Sequence, residues 1–422
     1  MAAGDGDPAG AAPHRTDIAR LVALIAVVAA VAVNLRPGIT TVGPELEVLT
    51  AHFGAGTRAA GVITAAPLFA FALVSLSTPI VLARISLRAG LYWALALIGM
   101  SLAVRPWSGL WIFVLATCAA AAGVGAVGVL LPAVIRAIGN TGPLIAAFTT
   151  ALQAGSAIGF AAIVPLAHAF GSWQWALAVW AVLAPIGAVA LWRSPAASVT
   201  SIGTGLPRGP ANPIALLRHT ETIGLAVFFG LQALVAFVVI GWLPSVLHDA
   251  GIGAELAGAY LGLLTCVAVP ISFIVPPIVA RSAHRARWLA GFSMFSATGI
   301  LGFIVAPDVA PLAWSIVLGA GLSVFSLALT VITLRAESQE EVLLLSSAVQ
   351  GVGYLIAAIG PYAFGVVKQF GDGWGLPLTV LFATTLVQVA VGFAVGDPNR
   401  RSSGRNSARR RGARSTVEVE TP

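Results

Sequence analysis

Charge is scarce in this chain: Asp, Glu, Lys and Arg make up 9% of its 422 residues, against about 25% in ordinary soluble proteins. So few charges cannot solvate the surface of a soluble domain of this size, and that class is excluded. Cysteine is nearly absent. Cys118 and Cys266 both lie inside apolar runs, which leaves no disulfide framework and no cysteine metal site and reads both as small core hydrophobes. Met1 to Asp17 carries Asp5, Asp7 and Asp17 in place of a basic n-region, so no cleaved leader is expected and the first apolar run is read as a retained span.

Apolar residues are plentiful, at 58% with a mean hydropathy of +0.94, enough for about twelve spans of roughly 20 residues each. Runs bounded by Gly, Pro or charge predict spans at 18–42, 58–83, 89–105, 109–135, 143–168 and 174–192, then at 221–246, 255–280, 287–306, 311–334, 342–367 and 375–396. Between the sets, Arg193 to Thr220 is rich in Gly, Pro and Ser and reads as a flexible connector. The expected fold is an all-α integral membrane protein of twelve transmembrane helices in two pseudo-symmetric six-helix bundles. Its parts are a tail (1–17), a first bundle (18–192), a linker (193–220), a second bundle (221–396) and a disordered basic tail (397–422).

A formal net charge of +7 would suit a nucleic-acid partner, but the placement of the bases decides against one. Arg15, Arg20, Arg84, Arg88, Arg136, Arg193, Arg208, Arg218, Arg281, Arg285, Arg287, Arg335 and the run from Arg400 to Arg414 fall on the side of the two termini. Only Arg58, Arg105 and Lys368 fall on the opposite side, and Arg36 lies within the first span. Because bases favour cytoplasmic loops, both termini are expected in the cytoplasm, with the chain in the inner membrane. The Arg-rich tail reads either as a disordered orientation signal or as a contact for anionic lipid headgroups.

Sliding the chain against itself by 197 positions brings Gly54, Gly56, Ala60 and Gly61 onto Gly251, Gly253, Ala257 and Gly258, and Pro79, Ala83, Arg84 and Arg88 onto Pro276, Ala280, Arg281 and Arg285. In the same register Gln153 falls on Gln350. With six spans per unit, equivalent loops keep their side, so this is a parallel repeat about an axis along the membrane normal, and such a pair encloses a central cavity.

None of the sixteen acids sits mid-span, and His52, His168 and His248 lie at span ends away from the termini; a deep carboxylate relay is therefore not expected. Neither paired carboxylates, a metal-ligand cluster nor a phosphate-cradling loop is present, so neither an enzyme nor a cofactor is expected. Arg36 is the cation within the hydrocarbon zone, roughly 22 Å along a span that crosses about 30 Å, where an unpaired Arg costs about 2.5 to 3.5 kcal/mol. Pro37 follows it and removes a helical hydrogen bond, which predicts a kinked or broken first span. A broken helix beside a lone cation is how carriers form anion-sized sites; the competing reading is a structural anchor whose head snorkels outward. Asn34 lies about 200° round the helix from Arg36 and shares its cavity only if Pro37 distorts the turn, so Arg36 is favoured, with Thr40 one turn on.

Gln153 shares a helix face with Thr149, Thr150 and Ser156, and Gln350 shares one with Ser346, Ser347 and Tyr354. Gln232 falls on Leu35 in the repeat register, at the depth of Asn34 and Arg36. Each Gln reads either as cavity lining or as an interhelical hydrogen bond worth about 0.6 kcal/mol. Phe228, Phe229, Trp242 and Tyr362 are read as packing or interface aromatics ahead of cavity walls.

These residues resemble the major facilitator superfamily, and within it the branch of cyanate and 2-nitroimidazole transporters. The blocks that carry the resemblance are Asn34-Leu-Arg-Pro-Gly-Ile-Thr-Thr-Val-Gly-Pro44, Leu131-Pro-Ala-Val-Ile-Arg136, Gly230-Leu-Gln232 with Gly241-Trp-Leu-Pro244, and Gln350-Gly-Val-Gly-Tyr354 with Gly360-Pro361. The chain departs at Ala83 to Arg88, which keeps the bases of the usual loop but lacks its acid, and at Phe237, where branch members often have Tyr. The resemblance implies alternating access by a secondary or facilitative transporter of a small anionic or polar solute, cyanate- or nitroimidazole-like. Arg36 would be its charge partner and Asn34, Thr40, Gln153, Gln232, Gln350 and Tyr354 its walls. Partners would be the solute and the bilayer, with the chain a monomer and proton coupling left open. The alternatives are an efflux antiporter for drugs or metabolites and, from another class, a non-transporting receptor or sensor. The last is disfavoured because the longest polar pieces are a 28-residue linker and a 26-residue tail.

Overall fold

A computed structural model of the chain describes residues 15–55, 57–82, 85–138, 141–194, 212–370 and 373–396. The tail before Arg15, most of the 193–220 linker with Arg208, the 83–84 pair with Arg84, and the basic tail 397–422 lie outside the described residues. Among the described residues twelve helical spans are long and apolar enough to cross a membrane. In chain order they are α1 (Ile18–Thr40), α2 (Val62–Val81), α3 (Leu87–Trp107), α4 (Leu110–Ile138), α5 (Gly142–Phe170), α6 (Trp173–Arg193), α7 (Thr220–Asp249), α8 (Leu256–Arg281), α9 (Arg285–Val305), α10 (Pro311–Arg335), α11 (Gln339–Lys368) and α12 (Gly375–Val395). Each lies within a few residues of its predicted run, because hydrocarbon offers no water to backbone N–H and C=O groups and a helix satisfies them within the segment.

Helix starts follow from their caps. The hydroxyls of Ser86 and Ser338 accept from the N–H groups of Ala89 and Glu341 at 3.2 and 3.1 Å, and Ser172 caps the start of α6. Two short elements were not read from the sequence: a helix at Leu46–His52 after α1 and a 3-10 turn at Pro213–Arg218 before α7. Both, at seven and six residues, are too short for a span-length hydropathy signal.

The packing scheme of the first six spans recurs in the second six. In the first half α1 packs on α5 and α6, α4 on α2 and α3, and α3 on α6; in the second α7 packs on α11 and α12, α10 on α8 and α9, and α9 on α12. Between the halves α2 meets α11 and α8 meets α5, which are the same pair exchanged by the repeat. The fold is therefore two pseudo-symmetric six-helix bundles, with all chain ends of the spans distributed so that the start of α1 and the end of α12 lie on one side. We call that the terminal side and its opposite the far side.

Polar contacts join the halves from mid-depth to the terminal side. Gln350 donates to the Gly128 carbonyl at 3.1 Å, Thr149 to the Ser272 carbonyl at 3.1 Å, and Arg136 to the Glu337 carbonyl at 3.3 Å; Ser347 donates to the Ser75 carbonyl. On the far side the halves touch through apolar groups, with Phe160 of α5 packed into the core of the second half.

Candidate functional site

The site is made by a discontinuity in α1. The α-helix from Arg15 ends at Ala32, tightens to 3-10 geometry over Val33–Leu35, and restarts as a short helix at Pro37–Thr40. Pro37 has no N–H to give, so the chain turns at Arg36, which has φ −115° and ψ −47°. The Arg36 carbonyl then nucleates the new turn. It accepts from the N–H groups of Ile39 and Thr40, both at 2.9 Å, and from the Thr40 hydroxyl at 3.1 Å.

Two neighbouring helices hold this break. On α5, Gly155 and Gly159 are four apart and present bare backbone to it: a β-carbon at Gly155 would come within 2.8 Å of the Val33 carbonyl, and one at Gly159 within 2.8 Å of the Thr40 hydroxyl. This small-xxx-small spacing allows backbones to approach closely in a membrane. From α3, Arg105 donates through Nη1 to the Gly38 carbonyl at 2.6 Å, with its guanidinium 5.6 Å from the Phe113 ring centre. Arg105 is completely buried, and its Nε and Nη2 have no described partner. The sequence placed it at the far end of its span; the structure tucks it inward, where its hydrogen bond fixes the segment just beyond Arg36.

The Arg36 side chain faces the interior between the halves. It lines a small cavity of about 20 Å³ with Gln350 and Tyr354 of α11, Phe325 of α10, Phe71 of α2 and Phe237 of α7, a volume that admits about one water. Its guanidinium carbon lies 5.1 Å from the Phe325 ring centre, a cation–π contact. Tyr354 is wedged between Phe71 and Phe229 at ring distances of 5.0 and 5.2 Å, and Phe229 rests on Phe325 at 5.7 Å. No carboxylate pairs with Arg36 among the described residues.

Of the residues singled out from sequence, the structure brings Arg36, Gln350 and Tyr354 onto one cavity. Asn34 points into the first half instead: it donates to the Ala30 carbonyl at 2.8 Å and packs against Gly187 of α6. Thr40 is taken up by the Arg36 carbonyl and by Gly159. Gln153 is buried beside Leu152, which does line the cavity. Gln232 is buried on α7, off the lining, with its Oε1 unpartnered among the described residues. Trp242 is occupied by a 3.1 Å bond to the Pro361 carbonyl, and Tyr362 is exposed on the lipid-facing surface. Phe71, Phe237 and Phe325 were missed as walls, since an aromatic in a span carries no sign of which neighbour it faces.

The arrangement can therefore accept a negative or strongly polarised small solute against Arg36, with hydrogen bonding from Tyr354 and Gln350 and flat apolar walls on the remaining sides. A family model described as Major Facilitator Superfamily matches residues 22–361. The chain is 30% identical over 380 residues to the 2-nitroimidazole transporter of Escherichia coli (strain K12), covering 89% of this chain and 95% of that one. It is 27% identical over 358 residues to the cyanate transport protein CynX of the same organism, covering 83% and 91%. Among solved structures, the proton:xylose symporter XylE superposes with a TM-score of 0.71 at 13% identity, covering 88% of this chain and 95% of that one.

Proposed function

The chain belongs to the major facilitator superfamily, a multi-pass membrane transporter of small solutes, and from that premise we propose that its cargo is a small anion or polarised solute bound directly by Arg36. The observation that carries this reading is a cation deep in the membrane, without a carboxylate partner among the described residues, lining the cavity between the halves and stacked on Phe325. Burying such a charge costs several kcal/mol unless something pairs with it, and a bound anion supplies the missing partner. The two relatives named for cyanate and 2-nitroimidazole lend support, both names denoting small, polarised solutes.

The mechanism we propose is alternating access, with the two bundles rocking about the cavity. Four polar contacts tie the halves from the cavity to the terminal side, whereas the far side is joined by apolar packing. Separation on the far side breaks no named hydrogen bond between the halves, so loading and release from that side are the lower-cost event. The excess of bases on the terminal side supports a cytoplasmic location for the termini, and on that reading the far side is external.

The test is uptake of radiolabelled cyanate and 2-nitroimidazole into proteoliposomes holding wild type or Arg36→Ala, with and without an imposed pH gradient. Uptake by the wild type alone is the expected result, and the gradient arm reads proton coupling. Equal uptake by two folded proteins would reduce Arg36 to a structural anchor.

A further inference from the structure

The first bundle carries a second hollow, separate from the central cavity, on the far side. It is an open groove of about 650 Å³ where the chain leaves α1 and where α5 hands over to α6, and its lining belongs to the first bundle alone. The rocking of one bundle against the other therefore leaves it intact. Its polar groups are Glu45, His168, Ser172 and Gln174, with the Trp173 indole and Val48 among its apolar walls.

Glu45 is the unusual member. It is only 5% exposed, yet its carboxylate accepts no hydrogen bond and makes no ion pair among the described residues. Burial pushes this carboxyl above its ordinary value, and the His168 imidazole works in the opposite direction. A buried carboxylate is stable when donors and positive charge meet it, and the described residues supply neither at hydrogen-bond range. The opposite wall is prepared for an apolar body: Trp173 is braced by His52 and Phe53 at ring distances of 5.1 and 6.4 Å. The rim is set by the Ser172 hydroxyl, which donates to Gln174 Oε1 at 2.7 Å and leaves the Gln174 amide hydrogens without a partner among the described residues. A flat, apolar-bodied cation with a donor-rich head meets each of these features, the head on Glu45 and the body against the indole.

We propose that this groove is a binding site for an organic ammonium group, held by Glu45 and walled by Trp173, distinct from the anion site at Arg36. It stands whether or not the Arg36 reading holds, since the two sites share no residue. The ammonium has two available sources. The groove lies near the exposed Trp107 and Trp175 pair, whose rings are 4.9 Å apart, and such tryptophans mark the headgroup level of a bilayer. A phosphatidylethanolamine headgroup and a free amine in solution both reach that depth.

The experiment is equilibrium binding of radiolabelled 2-phenylethylamine to the full chain in nanodiscs of pure phosphatidylglycerol, with 2-phenylethanol as the neutral competitor. Wild type should bind the amine and ignore the alcohol, Glu45→Gln should bind it about tenfold more weakly or worse, Trp173→Leu should be weakened, and Arg36→Ala should bind as wild type does. Each variant is checked for monodispersity by size exclusion, so that a misfolded Glu45→Gln leaves Trp173→Leu to decide. Absence of wild-type binding, binding unchanged in Glu45→Gln and Trp173→Leu, or binding lost in a folded Arg36→Ala would each overturn the proposal. Repeating the titration in phosphatidylethanolamine nanodiscs separates the sources. A weakened apparent affinity for the probe identifies the headgroup as the occupant, and an unchanged one identifies a free amine; both retain the site.

Discussion

The two bundles pack alike and are furnished differently. In the register of 197 that aligns Gln153 with Gln350, Arg36 of the first bundle stands opposite Ala233 of the second, while Tyr354 and Phe325 of the second stand opposite Ala157 and Gly128 of the first. The first bundle brings the charge on a broken helix; the second brings the ring that stacks on it and the hydroxyl that faces it. At these three positions the duplicated scaffold is complementary, a large side chain on one side facing a small one in register on the other. At Gly128 this is visible directly, since the bare backbone there exposes the carbonyl that receives Gln350. A cavity made this way is asymmetric even though its frame is not.

The sharpest way to break the comparison is to move the charge. Arg36→Ala should lower anion uptake by roughly 30-fold or more, the effect of stripping about 2 kcal/mol or more from a buried charge contact. Adding Ala233→Arg should not restore it, because α7 has no break to aim the guanidinium; recovery of uptake in that double variant would show the two bundles to be interchangeable. Removing the stacking ring comes next. Phe325→Ala should cost about 3 kcal/mol of stability from the space it leaves, read as a lowered Tm in detergent, and should raise KM for the anion.

Arg36 and the fully buried Arg105 offer a second contrast, one of charge against hydrogen bonding. At Arg105 the role in the structure is donation to the Gly38 carbonyl, so Arg105→Gln, which keeps a donor, should retain uptake within about threefold. Arg105→Met should cost about 1.5 kcal/mol or more by orphaning that carbonyl. At Arg36 Gln should serve no better than Ala. Tyr354→Phe keeps the ring and removes the hydroxyl, and a KM rise of a few-fold, about 1 kcal/mol, is expected with kcat little changed. The smallest effect is at Glu45. Because folding raises its pKa, the associated stability is fully present below the ordinary carboxylate pKa and declines as pH rises through the raised value. In the absence of amines Glu45→Gln should therefore melt slightly above wild type at pH 7 and level with it near pH 4.

How much of this was legible in the sequence follows from which interactions act locally. Span positions and the break at Pro37 were readable because hydropathy reports the bilayer directly and proline removes a donor wherever it stands. The choice of Arg36 over Asn34 followed from helix geometry. Gln232 lies off the cavity lining for a physical reason: equal register gives equal depth but not equal azimuth. The 3-10 turn at Val33–Leu35 winds α1 at about three residues per turn, so Leu35 reaches the cavity lining while its register mate Gln232 does not. The aromatic walls and the Gly155–Gly159 seat were illegible because both are defined by what crosses them, and crossings are a property of the assembled bundles.

Arg36 divides its labour between two chemically independent parts. Its carbonyl starts the new turn of α1 and would do so with any side chain attached, whereas its guanidinium takes no part in holding the helix. The side chain proposed to meet the cargo can therefore be exchanged without disturbing the broken helix on which it is mounted. If Arg36 binds the cargo as proposed, descendants of such a transporter can change what they carry by single substitutions at one position, with the helical frame inherited intact.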